Sequence, residues 1–345
     1  MLAARRTTLE HYFTHTAESD IDVERVLDAE GFDDRLARVV HPLAIAYERS
    51  GDLGSTFRHL MALMLRQFLG THKSIRLLMK NHRDNPGGMA DAMSLAREQV
   101  EKVYTVALLL EDPELWTRRY LKDGWRNDYE RHLIEAYERN ALERYAEYLD
   151  LQSEALERER PWLSVSEEEE QFLEWRFDNP PGLPKSELSA HLRAARETIG
   201  RSFPTPAAVL WEISDADLKR AMIRLYREYG YLCAYAHSGF RKLMAGYAEV
   251  HSSLTPEQQQ KVVDTEYAQS ILLSYLAAGF SCAEAATREL ARGREGTSGN
   301  RAVAGAELLA ELATLWDELR ETSLLGKALY EMRTRRVLPP AVGAA

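Results

Sequence analysis

The chain has 345 residues, 45% of them hydrophobic and 28% charged, with 19 Gly and 12 Pro. That balance excludes a disordered or linker-dominated protein, and the length suits two domains or one large helical body with a core that needs no staples. Against 54 Asp and Glu stand 44 Lys and Arg, a net charge of −10, so any nucleic-acid face must be a local basic patch, because phosphate neutralisation dominates such binding.

In chain order, residues 7–18 are polar and acidic and lack the apolar region of a secretory signal. Helices are expected within 1–50. There His11 and His15 stand one turn apart and could turn two imidazoles to one side. No Cys or further His completes a zinc set, so the expectation is a surface pair and no metal. Gly54-Ser55 opens a helix through Phe57, Leu60, Met61, Met64, Leu65, Phe68, Leu69 and Ile75 to about Asn81, with Gly70 as a kink. After Asn85-Pro86-Gly87-Gly88, the three-and-four spacing of Met93, Ala96, Val100, Val103, Tyr104, Ala107 and Leu108 predicts an amphipathic helix over 89–110. Asp112-Pro113 breaks the chain again. From 113 to 159 the pattern reads as one long helix, or two joined near Gly124, with an aromatic stripe (Tyr120, Trp125, Tyr129, Tyr137, Tyr145, Tyr148) that reads as core.

Ser166 and the run Glu167–Glu170 suit a short capped helix. Further helices are expected to begin at Ser186, at Pro206 and at Ser214-Asp215. The last of these carries Leu218, Met222, Leu225, Tyr226, Tyr229, Leu232 and Cys233 and stops at Ser238-Gly239. Thr255-Pro256-Glu257 caps and opens another that runs to about Arg292. Residues 293–300 read as a linker, 302–333 as a final helix and 336–345 as a flexible tail.

Strand signals are almost absent. The expected fold class is all-α: a multi-helix orthogonal or bundle-like body with long amphipathic helices and no significant sheet. Its expected organisation is N-terminal helices in 1–50, a main helical domain in 51–250, a C-terminal helical segment in 251–335 packed on it, and the tail. Cys233 and Cys282 sit in apolar context and read as small hydrophobes in a reducing compartment. No stretch approaches the ~18 apolar residues of a membrane helix. A soluble cytoplasmic protein with no membrane contact is expected.

No phosphate-cradling glycine loop, zinc-hydrolase helix or nucleophile elbow occurs, so no cofactor is called for. Two constellations remain. In Arg126-Asn127-Asp128-Tyr129-Glu130-Arg131-His132 an Arg, a polar residue, four intervening residues and then a His are gathered on one helix. The arrangement resembles the active motif of the HEPN family of helical ribonucleases. That resemblance implies metal-independent RNA cleavage at a composite site between two subunits, with Arg126 neutralising the scissile phosphate and His132 as general acid–base. Similar Arg–His spacings recur at Arg5 and Arg6 with His11, Arg35/His41, Arg66/His72 and Arg76/His82, but among these Arg residues only Arg126 is followed by Asn, Asp or His.

In the second, Arg97 and Glu101 lie one turn apart, and far downstream Tyr229, Leu232, Cys233, His237 and Ser238 close another helix. This pairing resembles an uncharacterised all-helical bacterial domain family over about 60–244, with Cys233 where Ser is expected and no activity to carry over. Physically, Arg97, Glu101, Tyr229 and His237 are expected to meet as a polar network, or as a pocket in which His237 moves protons and Glu101 orients it. Two functions follow. One is a bacterial interaction or regulatory module binding a protein partner or small ligand. The other is a metal-independent ribonuclease, a toxin or defence effector, in which case RNA is the partner. A homodimer fits both. The state of the basic residues around Arg126, exposed or paired off within the helix, discriminates between them.

Overall fold

A computed structural model describes residues 30–49, 55–79, 88–139, 146–160, 203–236 and 255–294, with isolated positions in 166–197 and 310–317. The main elements are α1 (Glu30–Arg49), α2 (Ser55–Met79), α3 (Gly88–Glu111), α4 (Pro113–Arg139), α5 (Ala146–Glu159), α6 (Pro206–Glu212), α7 (Ala216–Ala236) and α8 (Pro256–Arg294). Among the described residues there is no strand, and the fold is all-α. No described helix is long and apolar enough to cross a membrane.

The chain divides into two compact units, one of Met1–Glu111 with Pro206–Ala345 and one of Asp112–Thr205. The first unit is built on α3 and α8. Helix α8 packs on α1, α2 and α3, while α7 and α6 pack on α3. The stripe predicted for 89–110 is the inner face of α3, where Ala92, Met93, Ala96, Val100, Val103, Tyr104 and Ala107 are all buried. Helix α8 goes further. From Ile271 to Ala286 every described side chain is buried, among them Leu272, Tyr275, Leu276, Phe280 and Cys282. A helix buried on every side belongs in the middle of its neighbours, and burying each large apolar side chain there is worth about 1.5–3 kcal/mol. The Cys282 thiol is enclosed so completely that burial pushes its pKa up to about 12. It packs as a small hydrophobe.

Helix ends follow the local chemistry. Thr255 and Gln258 form a reciprocal cap on α8, the Gln258 amide N–H donating to Thr255 Oγ1 at 3.3 Å and the Thr255 N–H to Gln258 Oε1 at 2.9 Å. Asp215 Oδ1 accepts from the backbone N–H groups of Asp217 (2.9 Å) and Leu218 (3.0 Å) at the start of α7. Asp215→Ala is expected to cost about 1 kcal/mol, read as a lower urea midpoint with unchanged slope. Asp112, just before Pro113, accepts from the Leu115 N–H at 3.0 Å and caps α4.

In the second unit the structure differs from the expected joint at Gly124. Helix α4 runs unbroken through it to Arg139, and α5 starts at Ala146. Gly124 is exposed, and contacts across it and just beyond it hold the turn. Asp123 pairs with Arg126, and Trp125 stacks on Tyr129 with rings 5.4 Å apart and 6° from parallel. Trp125 Nε1 donates to the Leu156 carbonyl at 3.0 Å, which ties α4 to α5. The aromatic stripe is core in its first half only: Trp125 and Tyr129 are buried and Phe203 meets Trp116 and Tyr120 edge-on, whereas Tyr148, expected in the same stripe, is exposed and the side chains of Tyr137 and Tyr145 lie outside the described residues. Gly70 likewise lies inside a continuous α2. The expected helices at Ser186 and over 302–333, the short helix after Ser166, the linker and the tail lie outside the described residues or touch them at single positions.

Candidate functional site

Helix α3 carries Arg97 and Glu101 on one face, and α7 lies against it. Arg97 Nη2 sits 3.0 Å from Glu101 Oε2 and donates to the Tyr229 hydroxyl at 3.3 Å, while Nε donates to Cys233 Sγ at 3.4 Å. The guanidinium carbon stands 5.5 Å from the Tyr229 ring centroid, close enough for a cation–π attraction. Burial pulls the Arg97 pKa down, but the thiol, the hydroxyl and Glu101 outweigh it and hold the cation more firmly charged than usual. For Tyr229, burial dominates over the Arg97 hydrogen bond and raises the phenol. Beneath them Tyr104 donates to the Met222 carbonyl at 2.9 Å and packs against Tyr226 and Tyr229. Arg97, Glu101 and Tyr229 thus meet, with Cys233 as a further member. His237 lies outside the described residues. The three described groups lock α3 to α7, and each cation or hydroxyl is engaged by its neighbours.

The ribonuclease-like motif sits on α4. The Arg126 side chain is 5% exposed. Its Nη2 donates to Asp123 Oδ1, and its Nε lies 3.5 Å from Glu130 Oε1, itself buried. Asn127 donates weakly to Asp123 at 3.4 Å. His132 Nδ1 lies 3.3 Å from Gln152 Oε1, and Gln152 also donates to Glu135 and Tyr148. Around them Arg118 pairs with Glu114 and Arg131 with Asp128. Arg118, Arg126 and Arg131 are thus paired off within their own helix, while Arg119 lies over the Trp116 ring and His132 meets α5.

A third constellation was not evident from any motif. In the first unit, His72 of α2 is wholly buried between α1, α3 and α8. Its Nδ1 lies 3.0 Å from Ser274 Oγ, and its Nε2 lies 3.2 Å from Asp33 Oδ1. Gln99 Nε2 donates to the Phe68 carbonyl at 2.7 Å and to Ser274 Oγ at 3.3 Å. The neutral tautomer that serves both neighbours carries its proton on Nε2, toward Asp33, and accepts from the Ser274 hydroxyl. Burial lowers the His72 pKa against the opposing pull of Asp33. Burial raises that of Asp33, but the His72 contact, Arg76 and Lys73 bring it below the ordinary range. The order acid–imidazole–hydroxyl is that of a nucleophile relay. Here, however, Ser274 and His72 are both fully enclosed, and the set serves as a polar pin through four helices. The one hint in the sequence is His72 on a face otherwise made of Phe68, Leu69 and Ile75.

His11 and His15 lie outside the described residues. Among the described residues no three His, Cys, Asp or Glu side chains gather as a metal set. No protein-family model matches this chain, and no curated protein or solved structure is significantly similar to it.

Proposed function

We propose that this chain is an interaction module, an all-helical protein whose polar side chains bind its helices to one another and whose outer faces engage another protein. The observation that carries this reading is Arg126. Its guanidinium is buried between Asp123 and Glu130 of its own helix, so the cation a ribonuclease would direct at the scissile phosphate is already neutralised. Turning it toward RNA would break its ion pairs with Asp123 and Glu130 in a largely buried setting, a cost of several kcal/mol. A general acid–base at His132 would also have to give up Gln152.

The test is RNA cleavage in excess chelator by wild type and His132→Ala, across single-stranded and structured RNAs. Both proteins are expected to leave RNA at the background of a buffer control. Cleavage by wild type that is lost in a folded His132→Ala variant would overturn the reading in favour of a metal-independent ribonuclease using Arg126 and His132.

A further inference from the structure

We propose that the outward face of α7, together with Trp211 of α6, is the docking surface of this module, and that its occupant is an acidic amphipathic helix of another protein. The proposal rests on the interaction-module reading and names the partner's chemistry. Trp211 is 83% exposed, far beyond what is usual for a side chain that is highly buried on average. Ile223 is 48% exposed. The Lys219 ammonium lies 5.8 Å from the Trp211 ring centroid, which places the indole beside α7.

The helical period sets Lys219 one turn from Ile223 and Arg220 one turn from Arg224, so all four share a face. Arg220 and Arg224 are exposed there and Lys219 half-exposed. Of the nearby carboxylates, Asp215 caps the helix, Asp217 holds Arg220, and Glu228, one turn beyond Arg224, is half-buried. Glu212 is exposed beside Trp211. Lys219 and Arg224 pair with no carboxylate among the described residues. On a chain of net charge −10, this face sets Lys219 and Arg224, with no ion pair to either among the described residues, beside an exposed indole and an exposed isoleucine.

Aromatic and Arg side chains are the usual anchors of protein interfaces, and opposite charge on the partner steers encounter and fixes register. An aliphatic side chain on the partner would cover Trp211 and Ile223, while its flanking carboxylates reach Lys219 and Arg224. A bare polyanion would use the cations and leave the isoleucine uncovered, which is why a protein helix is the better fit.

The probe is a synthetic helical peptide with Leu at three-and-four spacing and Glu elsewhere, set against a Leu/Lys counterpart and against poly-glutamate. The full chain is labelled with 5-fluorotryptophan, and the Trp211 fluorine resonance is identified by its absence in Trp211→Phe. The Leu/Glu peptide is expected to shift that resonance saturably, whereas the two controls leave it in place. Affinity is expected to fall about tenfold or more in Trp211→Ala and in the double variant Lys219→Glu/Arg224→Glu, with melting temperatures unchanged. No shift with the Leu/Glu peptide, an equal shift with poly-glutamate, or undiminished affinity in the variants would overturn the proposal. The RNA assay above is independent of this surface, so a silent peptide titration with inactive RNA cleavage dismisses the α7 face alone.

Discussion

Replacing Trp125 with alanine is expected to cost the second unit about 3–5 kcal/mol, the largest single-site loss predicted for this chain. Trp125 is 2% exposed, it stacks on Tyr129, and its indole N–H is the described hydrogen bond that joins α4 to the Leu156 carbonyl of α5. Alanine removes the ring, leaves a cavity beneath Tyr129 and deprives a carbonyl of its donor. Among the described residues of this unit the other buried apolar side chains are Trp116, Tyr129 and Leu156, little core to absorb such a loss. Marginal stabilities of about 5–15 kcal/mol are typical of whole domains, so the change takes away a large share. Urea unfolding followed by far-UV circular dichroism checks it: the transition of this unit moves to lower denaturant and separates from that of the first unit. Trp125→Phe keeps a ring but no donor and is expected to fall between the two. An unchanged transition in Trp125→Ala would show that the stack carries no weight.

The second large effect is a loss of stability on mild acidification, traced to His72. Burial holds its folded-state pKa below the ordinary value of 6.5. Above pH 6.5 the residue is neutral both folded and unfolded, and the difference contributes nothing to the pH dependence. As pH falls below 6.5 the unfolded chain takes up a proton that the folded chain refuses, and stability drops by up to about 1.4 kcal/mol per pH unit until the folded pKa is reached. Asp33, whose folded pKa is lowered, adds a further loss only at more acidic pH, through the carboxylate range. Denaturation of wild type at pH 7.5, 6.5 and 5.5 is expected to show the decline. In His72→Gln, whose amide can still reach Ser274 or Asp33, the decline between 6.5 and 5.5 is expected to shrink. A decline of equal size in the variant would place the acid sensitivity elsewhere.

Much of the fold was legible in the residues. The spacing of Met93, Ala96, Val100 and Ala107 foretold α3 to within a residue at each end, and Thr255-Pro256 and Ser214-Asp215 marked two helix starts through their capping chemistry. These signals are local, carried by residues within a turn or two of one another. Gly124 misled because its intrinsic cost, about 1 kcal/mol, is small beside the Asp123–Arg126 ion pair that spans it and the Trp125–Tyr129 stack that follows it, which spacing alone does not weigh. The meeting of Arg97 with Tyr229 could be anticipated because a charge beside an apolar stripe needs a partner. The pin of Asp33, His72, Gln99 and Ser274 could not, since its members are spread over 242 positions of sequence (33 to 274, inclusive) and nothing about a lone serine in an apolar run says which helix it will face. Arg126 shows the converse: its spacing to His132 invites a catalytic role, yet the carboxylates three residues before it and four after it engage it first.

The position of α8 bears on how the protein is made. Its middle turns fill the space between α1, α2 and α3, and the Tyr47 hydroxyl of α1 donates to the Ala285 carbonyl at 3.1 Å. A ribosome therefore releases α1, α2 and α3 long before the segment that completes their core, with the contiguous 112–205 unit emerging in between. During that interval the inner faces of a nascent chain stay bare, and chaperone demand should peak just before residues 271–286 clear the exit tunnel.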